Sequence, residues 1–88
     1  MIVHVQVKLK RDIKKISDPS VLKSFSELVR LLQKFSDLKN IPNTKRIHGA
    51  KHYYRYRIRD YRVWFRMLDW EIYIERFLHR KDIYKVFP

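Results

Sequence analysis

The sequence predicts an α+β domain in which helices cover one face of an antiparallel meander, and three observations predict it. Residues 52–84 split by parity into an apolar and a cationic set. Residues 9–35 carry apolar positions at spacings of three and four, and no repeat, low-complexity tract or linker interrupts the 88 residues. Strand side chains alternate between faces with a period of two, whereas a helix returns to one face every 3.6 residues. Helical segments followed by a run of strands put the helices together on one side of the sheet. A chain of this length supports one core, so residues 1–88 are read as a single domain.

Taken in order, residues 1–8 alternate Val3, Val5 and Val7 with Ile2, His4, Gln6 and Lys8. This predicts a strand buried on its valine side and pairing within the same sheet. Leu9, Ile13 and Ile16 then recur at spacings of four and three, with Lys10, Arg11, Asp12, Lys14 and Lys15 between them. They predict a short amphipathic helix with a basic outer face. Asp18-Pro19 starts the next helix, because an aspartate caps free N–H groups and proline lacks one where none is needed. Val21, Leu22, Phe25, Leu28, Val29, Leu31, Leu32 and Phe35 fit a helical period, which makes this the longest helix. Residues 37–51 hold Pro42 and the only glycine, Gly49, and predict a loop with a short extended piece around Arg46–His48. Three strands follow near 52–59, 61–68 and 71–79, turning near Asp60 and Leu68-Asp69-Trp70. Residues 80–88 read as a short basic tail ending in Phe87-Pro88.

In the first two strands of the meander, Tyr54, Tyr56 and Ile58 share a face, as do Tyr61, Val63, Phe65 and Met67. The opposite parity collects Tyr53, Arg55, Arg57 and Arg59 with Arg62, Trp64 and Arg66. One side is packed and the other cationic. A row of guanidinium groups repels itself unless an anion sits among them, and phosphate suits their planar fork best. The whole chain agrees: 21 Lys/Arg against 9 Asp/Glu give a formal net charge of +12. Such a surplus attracts polyanions, and nucleic acid, an acidic protein and an anionic membrane surface all qualify. Tyr53 and Trp64 share the arginine face, where aromatic rings stack on unpaired bases, and this adds weight to nucleic acid.

Other chemistries find no support. There is no cysteine, hence no disulfide, thiolate metal site or cysteine nucleophile, and the usage fits a reducing compartment. His4, His48, His52 and His79 are scattered without ligand spacing, so neither a metal nor a cofactor is expected. One glycine cannot build a phosphate loop, and the serines cluster near helix starts where capping accounts for them. No apolar run approaches the ~20 residues of a membrane span, so a cytoplasmic protein without membrane contact is expected.

The order of residues also carries a resemblance. The run Tyr54-Arg55, Arg57, Tyr61-Arg62, followed by Phe65, resembles the central hairpin of the RelE/ParE toxin superfamily. Arg76-Phe77-Leu78-His79-Arg80-Lys81-Asp82-Ile83-Tyr84 resembles its closing strand and the signature that ends it, and Gly49, Tyr53 and Tyr54 resemble the entry to the hairpin. The likeness spans essentially the whole chain. It implies a type II toxin–antitoxin toxin with the RelE-like, microbial-ribonuclease-type fold: an N-terminal strand, a helical hairpin and a three-stranded antiparallel meander. For the RelE branch it implies a ribosome-dependent mRNA interferase, an endoribonuclease that needs no metal. Its 2′-hydroxyl attack on the adjacent phosphate leaves a 2′,3′-cyclic phosphate and a 5′-hydroxyl.

Carried onto this sequence, the resemblance makes Arg55, Arg57, Arg62, His79, Arg80 and Tyr84 the catalytic set. RNA contact is expected from Lys51, Tyr53, Arg59, Trp64 and Lys81. Relatives often have lysine where this chain has Arg55 and Arg57, and glycine where it has Leu78. Guanidinium is a poor general base, so proton transfer falls to His79, if its ring faces the site, or to Tyr84. The expected partners are a cognate antitoxin with an acidic or amphipathic segment, mRNA on the ribosome, and rRNA, within a toxin–antitoxin hetero-oligomer. Two alternatives stand beside this one: a ParE-like toxin that poisons gyrase without nuclease activity, and a catalytically inactive basic binding module.

Overall fold

The computed structural model describes residues 1–86. Its elements are β1 (Ile2–Val5), α1 (Val7–Lys14), α2 (Pro19–Lys34), a 3₁₀ turn (Leu38–Asn40), β2 (Thr44–Arg46), β3 (Tyr53–Ile58), β4 (Tyr61–Leu68), β5 (Glu71–His79) and α3 (Arg80–Val86). The strands form one five-stranded sheet in the order β1-β5-β4-β3-β2. Four of them make an antiparallel meander, and β1 joins the edge parallel to β5, with Val3 opposite Ile72. The predicted α+β order therefore holds from the first strand to the last.

The parity split explains where the core lies. Ile58, Val63, Phe65, Ile72, Ile74 and Phe77 point to one side and are buried there with Leu9, Ile16, Val21, Phe25, Leu28 and Leu32 from the helical hairpin. Phe25 of α2 stacks on Phe77 of β5 with centroids 4.8 Å apart. Asp18 caps α2 as its sequence demands: its carboxylate accepts the Ser20 backbone N–H at 2.9 Å and the Ser20 hydroxyl at 2.8 Å, and Pro19 opens the helix.

Four details depart from the sequence reading. The first strand stops at Val5, because helix α1 begins at Val7; Val5 and Val7 are exposed at 46% and 66%, and only Val3 packs on the core. The extended piece in the loop is Thr44–Arg46, earlier than expected, because Asn43 turns the chain into it with a positive φ of 66°. Asp12 is not on an outer face but 3% exposed. Residues 80–86 are a helix rather than a tail, and Phe87-Pro88 lies outside the described residues.

The Asp12 departure has a topological cause. β1 pairs only with residues 71–74 of β5, so the rest of that edge has no strand beside it. A β-bulge displaces the β4–β5 register between Trp64 and Phe65, and beyond it α1 takes the edge. Asp12 accepts the Phe77 backbone N–H at 2.9 Å and holds Arg76 in a two-pronged pair at 2.8 and 3.0 Å. A buried N–H without a partner costs ~1–3 kcal/mol, and the carboxylate removes that cost. The pairing also raises Arg76 further above the ordinary arginine range, chiefly through the hydrogen bonds from Asp12.

Candidate nucleic-acid site

The arginine face is the side of the sheet away from the helical hairpin. Its rows follow from strand register. Lys45 lies opposite Arg55, which lies opposite Trp64, which lies opposite Arg76; one step along, Arg57 faces Arg62 and Arg62 faces Leu78. Two-residue turns keep this register: Arg59-Asp60 joins β3 to β4, and Asp69-Trp70 joins β4 to β5 with both φ angles positive, as the hairpin twist requires.

Helix α3 packs on β4 and β5 from the same side. Ile83 and Trp64 are both buried yet stand outside the main core cluster, and they form the inner layer beneath this helix. His79 starts the helix by accepting the Lys81 backbone N–H on its Nδ1 at 3.2 Å. Asp82 in the first turn and Lys85 in the last suit the helix dipole. The consequence is a wall on one side of the arginines. A cleft of about 320 Å³ is lined by Asn43, Lys45, Arg55, Arg57, Arg62 and Tyr84. Arginines from β3 and β4 make its floor, β2 and the residues leading into it one wall, and α3 the other.

Among the described residues no carboxylate lines that cleft. The arginines are instead oriented by backbone carbonyls: Arg57 Nε donates to the Arg59 carbonyl at 3.2 Å, and an Arg62 terminal nitrogen donates to the carbonyls of Arg59 and Tyr61 at 2.9 and 3.0 Å. Carbonyls hold a guanidinium in place without neutralising it. Its remaining donors stay available for phosphate oxygens.

Of the catalytic set expected from the sequence, the structure thus brings Arg55, Arg57, Arg62 and Tyr84 to one cleft. Arg80 stands apart at the exposed start of α3, its Nε 3.9 Å from Asp60 and its backbone N–H donating to the Asp60 carbonyl at 2.7 Å. His79 requires a correction. It is the register partner of Tyr61 and meets that ring edge-on at 5.5 Å, on the core side of the sheet, so its ring does not face the arginines.

Trp64 requires another: at 4% exposure its ring packs inside and offers no face to a base. Tyr53 lines a separate groove of about 550 Å³ with Gln6, Val7, Arg76 and Val86, among others. Lys51 belongs to a hollow within the 46–51 loop, Arg59 sits exposed on its turn 3.7 Å from Asp18, and Lys81 is exposed on α3. Sequence reasoning missed Asn43 and Lys45, which lay in a stretch without period; only the ladder to β3 puts Lys45 beside Arg55.

Among the described residues no group of three or more histidines, aspartates and glutamates could hold a metal ion. No helix among them is long and apolar enough to cross a membrane.

The chain with this hairpin of arginines, backed by a helical pair and walled by a short C-terminal helix, is a small toxin of the type II toxin–antitoxin class by its family match. A family model described as the ParE toxin of the type II toxin–antitoxin system, parDE, matches residues 3–84, and the chain belongs to that family. Among solved structures it is similar to a chain of the RelB-RelE antitoxin-toxin complex from Methanococcus jannaschii, with 27% identity over 96% of this chain and 98% of that one and a TM-score of 0.84. Two further likenesses show the fold. They are the DinJ-YafQ complex of E. coli (14% identity, 93% and 96% covered, TM-score 0.64) and the RelBE2 complex of Mycobacterium tuberculosis (20%, 90% and 96%, 0.59). No curated protein matches.

Proposed function

We propose that this toxin is a metal-independent endoribonuclease that cleaves mRNA in the ribosomal A site and thereby stops translation. The observation that carries the reading is the cleft in which Arg55, Arg57, Arg62 and Tyr84 converge with no acidic side chain in its lining among the described residues. A phosphodiester seated on that floor meets donors from two strands. In-line attack by the 2′-hydroxyl builds negative charge on the non-bridging oxygens, and preoriented guanidinium groups stabilise that charge without reorganising. Tyr84, 59% exposed on the cleft wall, presents a hydroxyl to the attacking side. Because His79 faces away, proton transfer does not pass through it, and His79→Ala is expected to cleave at a rate close to wild type. Arg80, Lys81 and Arg59 are exposed outside the cleft, where they meet more distant phosphates of the strand.

The partner follows from charge and likeness. The Methanococcus jannaschii neighbour is a complex with an antitoxin, which supports an antitoxin here, and a net charge of +12 suits an acidic segment. The family match to the ParE toxin favours gyrase poisoning as a second reading. RNA-end mapping in a reconstituted translation reaction separates the two. Cuts within the A-site codon, present only with ribosomes and bearing cyclic-phosphate and 5′-hydroxyl ends, are expected. Intact mRNA and undiminished translation would overturn the ribonuclease reading, and inhibition of gyrase in parallel would establish the second.

A further inference from the structure

We infer that Lys45 is the proton donor to the leaving 5′-oxygen, a role that rests on the ribonuclease reading of the same cleft. Three of the six lining residues are arginines, which do not release a proton near neutral pH, and Asn43 has none to give. Among the described residues of the lining, Lys45 and Tyr84 alone carry exchangeable acid–base groups. They stand on opposite sides of the floor: Lys45 on β2 at the far edge of the sheet, Tyr84 on α3 over β4 and β5, with Arg55 and Arg57 of β3 and Arg62 of β4 between.

That placement matches the geometry of the reaction. Attacking and leaving oxygens lie roughly in line through phosphorus, so a phosphate held on the floor by its non-bridging oxygens directs one toward each wall. Hydrogen bonding decides which is which. A tyrosine hydroxyl both accepts and donates, and so accepts a hydrogen bond from the attacking 2′-hydroxyl. An ammonium only donates, and so suits the oxygen on which negative charge develops. Lys45 lies directly opposite Arg55 in the β2–β3 ladder, on the same face as the arginine floor.

The step balances without a co-reactant. The 2′-oxygen forms its bond to phosphorus and loses its proton to water. The bond from phosphorus to the 5′-oxygen breaks with its electron pair on oxygen, and that oxygen takes the proton from Lys45 Nζ. Solvent reprotonates the amine.

The test is single-turnover cleavage of ribosome-bound mRNA by wild type, Lys45→Arg and Lys45→Gln, with either oxygen or sulfur at the 5′ bridging position. Sulfur leaves without protonation. Lys45 is exposed on a short edge strand, so the circular dichroism and unfolding midpoint of both variants are expected to match those of wild type. Both variants are expected to cut the oxygen substrate about 100-fold or more slowly and the sulfur substrate within a few-fold of wild type. Wild-type speed in Lys45→Arg on the oxygen substrate would mean that charge alone matters, and would overturn the assignment while leaving the ribonuclease reading intact. An equal loss on both substrates would overturn it as well. Failure of the wild type to cut either substrate would remove the ribonuclease reading, and this assignment with it.

Discussion

Arg57 and Arg62 face each other across the β3–β4 ladder and donate to the same acceptor, the Arg59 carbonyl, at 3.2 and 2.9 Å. Residues directly opposite on antiparallel strands have Cβ atoms about 4.5–5.5 Å apart, and like charges there are destabilising. The turn carbonyl offsets part of that repulsion and fixes both planes toward the cleft. The sheet bears this cost where its site lies.

Removing one of the pair therefore separates activity from stability. Arg62→Ala is expected to lower mRNA cleavage by about 100- to 1,000-fold, the usual effect of losing one donor to a developing oxyanion. Its urea midpoint is expected to stay level or rise slightly, because a repelling neighbour has gone. A marked drop in stability would show that Arg62 supports the fold rather than the reaction.

Asp12 predicts the opposite pattern. Asp12→Ala leaves Arg76 partnerless and the Phe77 N–H exposed to an apolar neighbourhood. Removing one member of a buried ion pair costs about 3–5 kcal/mol, and Arg76, 21% exposed, places this one at the lower end. Urea denaturation of Asp12→Ala beside Asp12→Ala/Arg76→Met measures it. The double variant should recover part of the loss, since the uncompensated charge is removed with its partner. Equal stability of the two would refute the pairing as the cause.

The two tryptophans report the inner layer directly. Trp64 is 4% exposed and Trp70 65% exposed. In Trp70→Phe the remaining emission should be blue-shifted and resist acrylamide, and a short RNA should leave it largely unquenched. Trp64→Ala is expected to cost about 3–5 kcal/mol, as other large-to-small aromatic truncations do. Emission from Trp70→Phe that quenches like free tryptophan would contradict the packing under α3.

Asp18 gives the pH dependence. The Ser20 hydroxyl first, and its backbone N–H second, hold the carboxyl below the ordinary aspartate range. The folded-state pKa thus lies below the unfolded one, so the contribution is full above pH ~4 and disappears as pH falls through the lowered value. Asp18→Asn keeps a capping oxygen without the titration. Its thermal midpoint should fall less steeply than that of wild type below pH 4 and run parallel to it above pH 6. Identical slopes would exclude Asp18 as a source of acid sensitivity.

What the sequence determined by itself is the fold and the sign of its surface. Parity is a local property, so it placed Tyr54, Val63 and Phe65 toward the core and Arg55, Arg57 and Arg62 away from it, and the Asp18-Pro19 cap set the start of α2. Tertiary structure alone decided who meets whom across that surface. Trp64 has the parity of a base-stacking residue but is buried under α3, a helix too short and too basic to read as one. His79 lies in the closing signature, yet its parity after the β5 bulge turns it to Tyr61 on the core side. Asp12 reads as one more polar residue on a basic helix until the short β1 leaves the β5 edge open. Lys45 reaches Arg55 only through pairing across a loop. Each of these depends on partners far apart in sequence. Periodicity reports the face a side chain takes on its own element and carries no information about what a distant element lays over that face.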